Sequence, residues 1–150
     1  MDKQMVIDQA LAFAIGEEQA AAEFYTQLAA QAKALAMREV FEGFAREERM
    51  HKTRLEAIKA SGTFKLAGKA VADLKIADYT VEVEPNPNLD YRGALLLAMK
   101  KEKAAFKLYS DLAAGAPDED MRAVFLTLAQ EEAKHKLRFE IEYDDLMAEN

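Results

Sequence analysis

The sequence holds only two histidines, and a glutamate stands three residues before each: Glu48 before His51, and Glu132 before His135. Residues three apart on a helix leave from the same face, so each pair offers one carboxylate and one imidazole side by side. Such a pair can ligate a metal ion. The chain has no cysteine, which excludes disulfides, thiolate nucleophiles, zinc fingers and sulfur-ligated iron. Imidazole chemistry is confined to these two places.

The two places are related by one number. Adding 84 to Glu18, Tyr25, Glu48 and His51 gives Glu102, Tyr109, Glu132 and His135. The same offset carries Leu28 to Leu112, Met37-Arg38 to Met121-Arg122, Val40-Phe41 to Val124-Phe125, and Glu47 to Glu131. Residues 1–60 and 85–144 therefore read as two copies of one unit. The stretch between them has no duplicate.

Apolar periodicity supplies the elements that must position these residues. Ile7, Leu11, Ala14, Tyr25 and Leu28 share a stripe from Asp2 to about Ala32; Met37, Phe41, Phe44, Leu55 and Ile58 do so from Leu35 to about Ala60. A third helix is expected from an N-cap at Asp90 to about Ala114, with Tyr91, Leu95, Ala98, Tyr109 and Leu112 inward. A fourth is expected to open with Pro117 in its first turn and to reach about Ala148, with Met121, Phe125, Leu128 and Phe139 inward. Each stripe is broken near its middle by the same residue types: Glu18, then Glu48 with His51, then Glu102, then Glu132 with His135. At equal depth in a four-helix bundle these residues meet.

Between the second and third helices lies an arm of about residues 61–89, carrying Gly62, Gly68, Pro85 and Pro87. Tyr79, Val81 and Val83 alternate with Thr80, Glu82 and Glu84, the pattern of an extended segment with one face on the bundle. A 25-residue helix is roughly 37 Å long, which about a dozen extended residues can span. The other two connections are short and demand antiparallel hairpins. The expectation is one all-α domain over residues 1–150: a ferritin-like four-helix bundle of two duplicated antiparallel hairpins joined by a long crossover.

Four ionised glutamates in a dry core cost several kcal/mol apiece unless a cation neutralises them, by an estimate of roughly that order. A metal site accounts for them better than a hydrogen-bonded core does. Carboxylates and imidazoles without sulfur suit Fe(II) or Mn(II), and four Glu balance two divalent ions. Tyr25 and Tyr109 read equally as core aromatics with partnered hydroxyls or as donors to a ligand carboxylate. Glu17 and Glu23 become lysines under the offset and read as solvated. Glu47 and Glu131 repeat but flank the cluster on a neighbouring helix face, so they are placed outside the ligand set. The seven methionines read as packing.

Glu18-Gln19-Ala20-Ala21-Ala22-Glu23-Phe24-Tyr25, Phe44-Ala45-Arg46-Glu47-Glu48-Arg49-Met50-His51 and Leu128-Ala129-Gln130-Glu131-Glu132-Ala133-Lys134-His135 resemble the rubrerythrin family of di-iron carboxylate proteins. The resemblance covers all four helices and not the arm. It implies that Glu48 and Glu132 bridge two iron ions, that Glu18 and His51 complete one ion, and that Glu102 and His135 complete the other. Two departures stand out. The four cysteines of the rubredoxin domain are absent, and Ala105 stands where many relatives carry a further glutamate. The remaining set is similar to the ferroxidase centres of bacterioferritins.

Three functions follow as expectations. One is a di-iron oxidoreductase of peroxidase or ferroxidase type, oxidised by hydrogen peroxide or dioxygen and reduced by an external electron donor. The second is an iron-handling protein that oxidises Fe(II) and passes it on, and the third is a metal-stabilised bundle without turnover. A net charge of −7 argues against a nucleic-acid partner. The longest apolar run, Ala94 to Met99, is too short for a bilayer. Without a basic n-region ahead of an apolar core, the default location is the cytoplasm. The arm's apolar face and the two-fold habit of related proteins lead to the expectation of a homodimer.

Overall fold

The computed structural model describes residues 3–64, 74–81 and 89–149. Among these, four long helices form the molecule: α1 (Lys3–Gln31), α2 (Leu35–Ser61), α3 (Tyr91–Ala114) and α4 (Glu119–Ala148). α1 packs on α2 and α3 on α4 as two hairpins, giving the ferritin-like four-helix bundle. None of these helices is long and apolar enough to cross a membrane.

Local signals set the helix ends. Asp90 caps α3 by accepting from the Gly93 backbone N–H at 2.8 Å, and Asp118 caps α4 by accepting from that of Met121 at 2.8 Å. α4 therefore begins one residue after Asp118, and Pro117 lies ahead of the cap rather than inside the first turn as its position suggested. The carboxylate offers the orphan N–H groups a partner that proline cannot. α2 stops at Gly62, whose φ of 65° is left-handed and whose N–H bonds the Lys59 carbonyl. In the turn between α1 and α2, Arg38 Nε donates to the Ala32 carbonyl at 2.7 Å.

Two apolar layers fill the bundle. One joins Ile7 and Leu11 of α1, Leu55 of α2, Leu112 of α3 and Phe125 and Leu128 of α4. The other joins Tyr25 and Leu28, Met37 and Phe41, Leu95 and Ala98, and Phe139. The first layer takes the start of α1 and the end of α2, together with the end of α3 and the start of α4. Hence α2 and α3 run parallel, and the link between them traverses the bundle's length. Phe44, Ile58, Tyr91 and Met121, expected inward, are only half-buried.

The described part of the arm carries a tight turn ahead of the expected extended stretch: Thr80 is extended and exposed, between buried Tyr79 and half-buried Val81. Ile76–Tyr79 is a single 3₁₀ turn, with Asp78 N–H bonding the Lys75 carbonyl at 3.0 Å. A lone strand with no neighbour leaves its backbone groups unpaired, and the tight turn satisfies some of them locally. Tyr79 is buried, and its hydroxyl donates to Asp111 on α3 at 2.7 Å. Val83 lies outside the described residues, as do Gly68, Pro85 and Pro87.

Candidate metal centre

Between the two layers the helices turn Glu18, Glu48, His51, Glu102, Glu132 and His135 into the core, none more than 4% exposed. They form two overlapping groups: Glu18, Glu48, His51 and Glu132, and Glu48, Glu102, Glu132 and His135. Within each group one ligand atom per residue lies within 4.8 Å of all the others. Glu48 and Glu132 belong to both. His51 Nδ1 is 3.2 Å from Glu132 Oε1, and His135 Nδ1 is 3.1 Å from Glu48 Oε1.

One donor atom on each of the six residues is buried without a hydrogen-bond partner: Glu18 Oε2, Glu48 Oε1, His51 Nδ1, Glu102 Oε2, Glu132 Oε1 and His135 Nδ1. Such groups are costly to leave unmatched, and a cation is the partner that suits several carboxylate oxygens at once. All six are oxygen or imidazole nitrogen, a set that fits Fe(II) or Mn(II).

The opposite ends of these side chains are held by partners that cross the bundle. Tyr25 of α1 donates its hydroxyl to Glu102 of α3, and Tyr109 of α3 donates to Glu18 of α1. Both tyrosines are fully buried, and burial together with the nearby carboxylates pushes their hydroxyls well above the usual tyrosine range. His51 Nε2 hydrogen-bonds Glu131 of α4, and His135 Nε2 hydrogen-bonds Glu47 of α2. Glu47 and Glu131 thus touch the cluster from behind, a role not assigned to them from their helix face. Their repetition at the 84-residue offset was the signal.

Crowding displaces the proton equilibria of the cluster. Burial, then repulsion from Glu132, raises the Glu18 carboxyl, and burial with neighbouring carboxylates holds Glu48 and Glu102 well above the usual range. Burial also opposes ionisation of Glu132, but the adjacent His51 and Glu48 outweigh it and lower that group. Burial disfavours the charged form of His51, yet the carboxylates of Glu132 and Glu18 beside it prevail and push it up to about 11.

The surroundings are less alike than the donor sets. Phe44 stacks on His135 with ring centroids 4.0 Å apart, Tyr25 lies edge-on to His135, and Phe139 lies edge-on to Phe44. The equivalent of Phe44 in the second half is Leu128. A cavity of ≈ 30 Å³ opens between α1 and α3, reaching Glu18, Glu48, Glu102 and Glu132 from an outer wall of Phe13, Lys101, Ala105, Tyr79 and Val81. Water-sized molecules fit it.

The bundle and its buried carboxylate–histidine cluster define a ferritin-like protein with the donor set of a metal site. The rubrerythrin family model matches residues 9–143, and the chain belongs to that family. A solved structure described as "Hypothetical Protein Pfu-1136390-001 From Pyrococcus furiosus" is similar over 94% of this chain and 90% of its own, with 27% identity and a TM-score of 0.74. No curated protein matches.

Proposed function

We propose that the chain is a di-iron oxidoreductase whose reduced form reacts with hydrogen peroxide or dioxygen and is restored by an external electron donor. The observation that carries this reading is the convergence of six unpartnered donor atoms from six buried side chains. Glu18 and His51 would hold one ion and Glu102 and His135 the other, with Glu48 and Glu132 shared between them. A ferrous pair bound there would supply the two electrons that, with two protons, reduce one hydrogen peroxide to two waters.

The chain's own residues perform the remaining tasks. Glu131 and Glu47 orient the imidazoles from behind, so that each Nδ1 faces the cluster. Tyr25 and Tyr109 keep their protons at Oη and use them to hold Glu102 and Glu18. The cavity between α1 and α3 admits a small oxidant, while the two apolar layers exclude bulk water. Manganese at the same donors is the alternative loading, which elemental analysis of protein purified without chelator distinguishes.

Stopped-flow oxidation of anaerobic, iron-loaded protein with each oxidant tests the proposal. Fast oxidation by one of them is expected. Slow and equal rates with both would overturn it in favour of a metal-stabilised bundle. Continued turnover of added Fe(II), with more than two ions retained per chain, would instead identify an iron-handling protein.

A further inference from the structure

The 84-residue offset supplies an internal control for the molecular surface. Positions that build the cluster are the same in both halves, whereas one outward groove is not. Between α3 and α4 the groove holds Phe106, 42% exposed, and Leu137, 57% exposed, beside Ala133, Lys103, Lys136 and Glu140. Lys100 and Lys107 extend it along α3. The equivalents of Phe106, Leu137 and Ala133 in the first hairpin are Ala22, Thr53 and Arg49. Those of Lys100, Lys103 and Lys107 are Gly16, Gln19 and Glu23.

The first hairpin closes its groove with polar bonds: Lys52 Nζ donates to Gln19 Oε1 at 3.0 Å, and Gln19 Nε2 donates to Glu23 at 2.9 Å. In the second hairpin Lys136 pairs along its own helix with Glu140 at 2.6 Å. No described residue bridges Lys103 to α4. Four lysines and Glu140 on the two helices, with Asp78 of the arm lining the α3 side, therefore surround an apolar centre that no described residue covers, on a chain whose net charge is −7.

We propose that this groove docks a small acidic protein that carries one electron at a time. Charge selects the partner's sign: a two-fold contact with a second copy of the same groove would set lysine against lysine. A few exposed apolar side chains within a charged ring fit a transient encounter better than a permanent interface. Position selects the partner's task. Lys103 follows Glu102 and Lys136 follows His135, about 100° round each helix, so the groove flanks the same helical segments that form the cluster. Each encounter oxidises the carrier by one electron, and two encounters deliver the pair of electrons that one peroxide consumes. The inference rests on the redox reading given above.

Carbodiimide, which joins lysine amines directly to carboxylates, is applied to the iron-loaded protein mixed with recombinant flavodoxin, an acidic one-electron carrier. Cross-links are expected at Lys100, Lys103, Lys107 or Lys136. They should fall at least fivefold in a Lys100→Glu/Lys103→Glu variant of unchanged circular dichroism, and vanish at about 0.5 M salt, where exposed charges are screened. Reduction by flavodoxin should slow at least tenfold in that variant, while reduction by dithionite is unchanged. Cross-links confined to Lys33, Lys52 or Lys59, or indifferent to the charge reversal, overturn the docking site and leave the redox reading intact. Failure of dithionite-reduced protein to react with either oxidant overturns the redox reading, whatever the cross-links show. Dissociation of a parent dimer by the double variant would make the groove a self-association face and also overturn the proposal.

Discussion

His51 and Glu131, on α2 and α4, are joined by a hydrogen bond from the histidine Nε2 to the carboxylate, and His135 and Glu47 repeat the bond in the reverse direction. With Nε2 engaged, Nδ1 is the nitrogen left to face Glu18, Glu48 and Glu132. A carboxylate behind an imidazole also makes that imidazole a stronger base toward a cation. Glu131→Ala is expected to weaken metal binding about 10- to 100-fold, with Glu131→Gln closer to the lower figure because an amide still fills the space. Competition against a chelator of known affinity measures this.

The two glutamates shared by both groups carry a different expectation. Glu48→Ala or Glu132→Ala removes a donor from each ion's set at once. Neither variant should retain two irons per chain. Elemental analysis after gel filtration checks the stoichiometry, and either variant that binds two ions with unchanged affinity refutes the sharing.

Tyr25→Phe leaves a buried oxygen of Glu102 without its donor, and Tyr109→Phe does the same to Glu18. Hydrogen bonds to charged groups contribute about 1.5–3 kcal/mol. Each variant should lose stability of that order in chemical denaturation of the iron-loaded protein. Losses well under ~0.5 kcal/mol would mean that the hydroxyls only fill space.

Acidity should act in opposite directions on the metal-free and metal-loaded forms. Glu18, Glu48 and Glu102 are raised in the folded chain, and His51 is pushed up to about 11, so folding takes up protons at neutral pH. Stability from such groups is present at low pH and fades as pH rises. Glu132 is lowered and contributes the other way, but only as pH falls through the carboxylate range. The metal-free protein should therefore lose melting temperature from about pH 5.5 to about pH 8. Metal must displace the same protons, so its stabilisation should grow over that interval. Scanning calorimetry of both forms, with calorimetric titrations in buffers of different ionisation enthalpy, measures the trend and the protons released.

The six inward donors were legible because they interrupt apolar stripes at the same depth and recur at one offset. Asp90 announced the start of α3, whereas Pro117 drew the start of α4 two residues too early, because Asp118 is the cap and Glu119 the first helical residue. Glu47 and Glu131 recur just as faithfully, yet their helix face pointed away from the ligand set. Their roles depend on how far α2 slides along α4, which no single helix encodes. The alternation of Tyr79, Thr80 and Val81 holds in their burial and Thr80 is extended, but the pattern gave no sign of the tight turn that precedes it. Tyr79 reaches Asp111 over that 3₁₀ turn.

Every bond that braces the cluster from behind runs between the hairpins and never within one: Tyr25 to Glu102, Tyr109 to Glu18, His51 to Glu131, His135 to Glu47. A lone hairpin with this five-residue pattern would own half a centre and none of its braces. Two identical hairpins meeting face to face would possess all of them, each serving as template for the other. Joining two such hairpins in one gene changes nothing at the centre, since Glu18, Glu48, His51, Glu102, Glu132 and His135 all lie outside the tether. What fusion adds is independence. Once the halves are encoded separately, one can acquire the lysines and Phe106 while the other keeps Gly16, Gln19 and Ala22. A protein assembled from interchangeable parts can thereby acquire a front and a back.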